Sequence, residues 1–228
     1  KNISLHIYDE SPLYLNNIDK KINADLFIFP CSHKSDANIN ALTVHPIGNF
    51  DKALFGGKPK TLVPVNPFYL SNLYRNLVNN SRDKYQVTLE CTHHGPFLNK
   101  PSIFIEIGSD EQQYKDKNAG MIIAKTIFDV LQLKQGKNEI AFGLGGNHYC
   151  STFNKILLKT NILIGHICPK HYLSYLDESL LKQLKEKSNA DYAILDWKGL
   201  GPYKKEIIDL LGSSNIPYKR SDKLSNAK

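Results

Sequence analysis

Residues 85–108 read YQVTLECTHHGPFLNKPSIFIEIG. Two apolar, β-rich runs, 85–92 and 102–107, flank a turn that contains Gly95 and Pro96. The run 102–107 shows little of the polar–apolar alternation of a sheet with one wet face. Nearly continuous apolar strands belong in sheets covered on both sides. The same texture recurs at residues 25–30 (DLFIFP), 61–65, 139–144, 162–167 and 191–196 (DYAILD), and residues 3–8 also read as a strand. Helical periodicity fills the intervals. Residues 68–78 place Leu70, Leu73, Tyr74, Leu77 and Val78 on one face. Ser109 with Gln112 reads as a capping box, and behind it Ala119, Ile122, Ile123, Thr126, Ile127, Val130 and Leu131 repeat at helical spacing. Residues 174–187 and 202–211 predict two more helices, the second opening on Pro202. Strands alternating with helices predict an α/β layered sandwich with a largely parallel or mixed central sheet.

The chain has 228 residues, read here as one domain spanning 1–228. A chain of this size buries roughly 70% of its unfolded surface, so its core needs no disulfide or metal staple. Segment 38–60, rich in Gly, Pro and Asn, reads as a long excursion of the kind that often carries function. The polar, basic end at about 217–228 reads as a frayed tail. Lys plus Arg is 29 and Asp plus Glu is 22, a net charge of +7. That balance points to a polyanionic partner. Nucleic acid is favoured over membrane, because no basic amphipathic helix is present. The four cysteines, Cys31, Cys91, Cys150 and Cys168, form no C-x-x-C pair. No run reaches the length of a membrane span, and the opening KNISLHIYDE has no signal-peptide core. These features predict a cytoplasmic protein with reduced thiols, and the chain is expected to be a monomer.

Histidines collect at strand ends: His33, His45, His93, His94, His148, His166 and His171. Carboxyl ends of parallel strands form the ligand crevice of open α/β sheets. His93 and His94 are adjacent, so in an extended strand they point to opposite faces. Gly95-Pro96 offers a turn there, and the expectation is that one histidine faces the pocket while the other supports it. Glu106 interrupts the run of Ile103, Ile105 and Ile107 and shares a face with Phe104. A carboxylate in such a place suits a general base or a metal ligand, against a plain strand-end glutamate. GLGGNHY, residues 143–149, is neither a Walker A loop nor G-x-G-x-x-G. Its backbone amides at Gly145, Gly146 and Asn147 are candidates for an oxyanion site. In LDWKGLG, residues 195–201, Lys198 is a candidate phosphate ligand, as is Lys170. Trp197 is either a base-stacking platform or a core tryptophan. There is no G-x-S-x-G elbow, and Cys91 shares parity with Val87 and Leu89, which favours packing.

The blocks LTVHPIGN, LECTHHGP, IFIEIGS, GGNHY, GHICPKH and LDWKGL follow one another in this order over residues 24–211. In them the chain resembles the archaeal and plant type of D-aminoacyl-tRNA deacylase. The resemblance implies hydrolysis of the ester between a D-amino acid, such as D-tyrosine, and tRNA, in translation quality control and D-amino acid detoxification. It also implies an α/β fold similar to peptidyl-tRNA hydrolases and nucleoside phosphorylases, and bound zinc. Under it, His93, His94, Glu106 and His148 are the candidate catalytic residues. His94, Glu106 and His148 are the candidate metal ligands, and Lys170, Trp197 and Lys198 the candidate tRNA contacts. The chain departs from the pattern at Asn147, Cys150 and Ser151 of the glycine-rich block and at Ser32, where an arginine is usual. Two other classes compete: a zinc-dependent hydrolase of small D-configured substrates, and a non-catalytic tRNA-binding module.

Overall fold

A computed structural model describes residues 2–34, 39–82 and 84–224. In chain order it comprises β1 (Phe27–Lys34), β2 (Ala41–Pro46), the short pair β3 (Gly48–Asn49) and β4 (Thr61–Leu62), α1 (Pro67–Ser81), β5 (Gln86–Leu89) and β6 (Ser102–Ser109). Then follow α2 (Glu111–Tyr114), α3 (Lys117–Gln132), β7 (Ile140–Leu144), α4 (Ser151–Lys159), β8 (Leu163–Cys168), α5 (Glu178–Lys187), β9 (Tyr192–Leu195), α6 (Lys204–Ser213) and β10 (Tyr218–Arg220). The first half builds a mixed sheet of order β1-β6-β2-β5, and the second an all-parallel sheet of order β10-β9-β7-β8.

One apolar cluster joins the two sheets. It holds Leu42, Val44, Leu89, Ile103 and Ile105 from the first, Ala141, Ile164, Ile167 and Ile194 from the second, and Leu70, Leu73 and Leu77 of α1. Each fully buried aliphatic side chain there contributes about 1.5–3 kcal/mol relative to exposure. A second cluster packs α5 and α6 on the second sheet through Leu180, Leu184, Ile207 and Leu211. α1 starts where Asn66 accepts from the amides of Phe68 and Tyr69. Its Arg75 reaches across to the end of α4, donating to the carbonyls of Leu157, Thr160 and Ile162 at 2.8–3.0 Å.

The layered α/β expectation holds, and several local expectations change. Segment 41–46 is a buried central strand rather than loop, because β6 and β5 pair with it on either side. Residues 3–8 join no ladder among the described residues, and Ile3, Leu5 and Ile7 are exposed. Ser109 ends β6; the helix caps are Asp110 for α2 and Asp116 for α3, each accepting from two amides. Residues 170–175 form a 3-10 turn before α5, whose cap is Asp177. Residues 218–220 are not frayed: they pair with β9, while 225–228 lie outside the described residues. Among the described residues no helix is long and apolar enough to cross a membrane.

Candidate active site

Register alone assembles the first part of the site. On β6, Glu106 stands opposite Cys31 of β1 and Thr43 of β2. Cys31 Sγ lies 3.0 Å from Glu106 Oε1, and Thr43 Oγ1 lies 3.5 Å from Oε2. Two residues along, His33 faces Gly108 and His45 faces Phe104. A Cβ on Gly108 would sit 3.0 Å from the His33 ring, so glycine makes room for that imidazole. His33 Nδ1 then lies 3.3 Å from Glu106 Oε2, and His45 Nε2 lies 3.7 Å from Oε1. Burial raises the Glu106 carboxyl, but His33, His45 and Cys31 outweigh it and hold it well below the usual carboxylate range. Burial pushes the thiol of Cys31 up, with Glu106 adding to the effect.

The second part comes from residues 90–94, which run between the two sheets. The amide of Glu90 donates to Val44 in the first sheet and that of Thr92 to Ile167 in the second. Here the chain turns. His94 adopts φ +43°, in the left-handed region, and Gly95–Pro96 is a cis peptide. His93 and His94 therefore both face one site, instead of dividing a pocket role and a support role. Their rings lie 4.3 Å apart, and 4.1 and 4.8 Å from His45.

In each of these three rings Nδ1 meets a backbone carbonyl: Pro46 for His45, Cys91 for His93 and Gly95 for His94, at 2.6–3.1 Å. A carbonyl only accepts, so Nδ1 carries a proton in each ring, and wherever the ring is neutral Nε2 presents a lone pair. Burial pushes His94 down to about 4, and lowers His93 as well, so both are neutral at physiological pH. Glu90, fully buried, completes the cluster. Its Oε2 lies 3.4 Å from His93 Nε2 and 3.3 Å from His148 Nε2, and its Oε1 lies 3.2 Å from His33 Nδ1. His148 arrives on the loop after β7, anchored by its carbonyl accepting from the amide of Cys91, with its Nδ1 3.3 Å from Cys91 Sγ.

A sequence profile of the D-aminoacyl-tRNA deacylase family matches residues 20–219. The chain belongs to that family. A D-aminoacyl-tRNA deacylase of Methanosarcina mazei is 39% identical over 214 residues, covering 89% of this chain and 71% of its own length. One from Methanococcus vannielii is 35% identical over 242 residues, covering 96% and 94%. The crystal structure of AF0625, a conserved protein of unknown function, superposes with a TM-score of 0.88 at 32% identity. That match covers 94% of this chain and 79% of that one. As a D-aminoacyl-tRNA deacylase, the chain is a hydrolase that cleaves the ester linking a D-amino acid to tRNA.

The deacylase structure gathers His93, His94, Glu106 and His148 in one cluster. The three expected metal ligands, His94, Glu106 and His148, are dispersed over three potential ligand groups: His45 with His93 and His94, His33 with Glu90 and Glu106, and Cys91 with His93 and His148. The oxyanion expectation changes at Gly145 and Gly146, whose amides already donate to Cys168 and Gly199. The amides of Asn147 and His148 donate to no backbone carbonyl among the described residues. His166 is structural, with both ring nitrogens held by Thr92 and Val63. Lys170, Trp197 and Lys198 share a cleft beside the cluster, together with Asn147 and His171. The Trp197 ring packs on the second apolar cluster and under Arg220 and Lys204, so it holds cations more than it offers a free face. Sequence reasoning passed over Glu90. The signal was present: Thr88, Glu90 and Thr92 share one parity, all three buried, between apolar Leu89 and Cys91.

Proposed function

We propose that this deacylase hydrolyses its ester with zinc held by the histidine–carboxylate cluster. One observation carries the reading: His45, His93 and His94 each fix Nδ1 on a backbone carbonyl, and the three rings bring ligand nitrogens within 4.8 Å of one another beside two buried carboxylates. Metal-ligating histidines are oriented in this way, with the second nitrogen committed. Within the cluster three buried polar atoms, His33 Nε2, His45 Nε2 and Glu90 Oε1, have no aligned hydrogen-bond partner among the described residues. Nitrogen, carboxylate oxygen and thiol sulfur form a donor set that suits zinc.

Zinc bound there supplies Lewis acidity toward a water and an ester carbonyl. The chain's own residues do the rest. Glu106, held ionised by His33 and His45, fixes those two rings. Glu90, with Oε1 unaligned, accepts the proton of the attacking water. His148, 36% exposed at its side chain, faces the entering ester and donates to the leaving ribose oxygen. The free amides of Asn147 and His148 face the developing oxyanion. Lys170 and Lys198 contact tRNA phosphates at the neighbouring cleft. The four cysteines are all free thiols, which supports a reducing, cytoplasmic setting, and we read the chain as a monomer.

The test is deacylation of D-Tyr-tRNA and L-Tyr-tRNA in parallel, with and without a chelator. Loss of the D-ester alone, stopped by chelation and restored by zinc, is the expected result. D-selective hydrolysis that ignores the chelator removes the metal from the mechanism.

A further inference from the structure

In the second sheet the order in which strands are added reverses between β7 and β9. From β7 the chain passes through α4 to β8 on one side, then returns through α5 to β9 on the other side of β7. Open parallel sheets bind ligands outside the carboxyl ends of strands at such a reversal. Here the loops after β7 and β9 enclose a cleft of about 950 Å³. Its floor is Gly146, Gly199 and Asp196; a Cβ on either glycine would lie within 2.9 Å of Asp196 Oδ2, so the loops close tightly beneath the cleft. The Asp196 oxygens already accept from Thr152 Oγ1 and the amide of Gly199.

The walls carry Lys155, Lys159, Lys170 and Lys198. Among the described residues none of these four ammonium groups has an ion-pair partner. Asp222, at the rim, is committed to Arg220. Lys155 and Lys159 lie four residues apart on α4, on one helix face and about 6 Å apart along the axis. That spacing suits successive phosphates of an extended single strand. The cleft has the dimensions of a small-ligand site and is too small for a paired RNA stem. It ends at Asn147, and the next residue, His148, touches Glu90.

We infer that this cleft holds the unpaired 3′-terminal nucleotides of the aminoacylated RNA, with Lys155 and Lys159 clamping their phosphates. The inference rests on the histidine–carboxylate cluster being the hydrolytic site, because a strand lying in the cleft then delivers its esterified end to that cluster. Four wall lysines without counter-ions supply the electrostatic attraction that backbone binding needs.

The experiment measures equilibrium binding of labelled tRNA with its full 3′ end and of the same tRNA lacking its last three nucleotides, at one salt concentration. Removing the three nucleotides weakens binding to the native chain by about tenfold, the scale of losing two or three phosphate contacts. Lys155→Ala/Lys159→Ala weakens the intact tRNA by a similar factor and leaves the truncated tRNA unchanged. Lys134→Ala/Lys137→Ala, an equal charge loss near the amino end of β7, shows no such selectivity. Equal weakening of both RNAs by the α4 pair overturns the inference. D-Tyr-tRNA turnover by the same preparation separates the two readings. Turnover without 3′-end selectivity discards the cleft and keeps the hydrolytic site; selectivity without turnover does the reverse.

Discussion

The oxygens of Glu106 are taken up by Cys31, Thr43, His33 and His45, whereas Glu90 keeps one oxygen unaligned. Two buried carboxylates of the same type therefore stand in different surroundings, which is why the proposed base is Glu90. Glu90→Gln keeps the shape and removes the proton acceptor; kcat should fall about 10²–10⁴-fold, the usual weight of a positioned base, with KM nearly unchanged. Steady-state deacylation kinetics check this, and near-native turnover would return the base role to another group. His45→Ala removes one of the three converging Nε2 atoms. Bound zinc, counted by elemental analysis, should fall below that of the native chain. Glu106 and the histidines were legible as single residues because a charged or imidazole side chain at the end of an apolar run is conspicuous. That both His93 and His94 face the site was not legible, because it depends on the positive φ at His94.

At the scale of elements, residues closing helix ends carry measurable stability. Asp116 caps α3 and accepts from the hydroxyl of Tyr85 at 2.5 Å. Asp116→Ala should cost about 1 kcal/mol in urea unfolding. The Tyr85 hydroxyl, with the amides of Asn118 and Ala119, holds the Asp116 carboxyl below its ordinary value against the opposing effect of burial. Its folded value lies below its unfolded one, so this stability is fully present above about pH 4 and is lost as the pH falls further. Arg75 satisfies three carbonyls where α4 ends, and neither lysine nor alanine reproduces its fork. Arg75→Ala should cost about 2–3 kcal/mol, since buried acceptors are left unpaired. Elements with strong local patterns, such as α1 and β6, were readable. β2 was not, because flanking Gly, Pro and Asn suggest loop and its support comes from β5 and β6, both far along the chain. Residues 3–8 mislead in the opposite sense, alternating like a strand without a partner among the described residues.

For the molecule as a whole, sequence and structure divide in the same place. β1, β2, β5 and β6 form one sheet, with β3 and β4 as a separate pair, β7 to β10 form the other, and the loop 133–139 joins the halves. The cluster takes His33, His45, Glu90, His93, His94 and Glu106 from the first half and His148 from the second. If the proposed zinc is held across that boundary it would bind only the folded chain, so chelation should lower Tm as well as activity, and zinc should restore both. Thermal melts with and without chelator check this. The amides of Glu90 and Thr92 tie one segment to each sheet, and this has a practical outcome. A chain cut at Gly136 should give two inactive pieces, each with an exposed apolar face, that regain turnover only when refolded together. The deacylase would then serve as its own reporter of reassembly: hydrolysis of D-Tyr-tRNA would register the fraction of halves that have found each other.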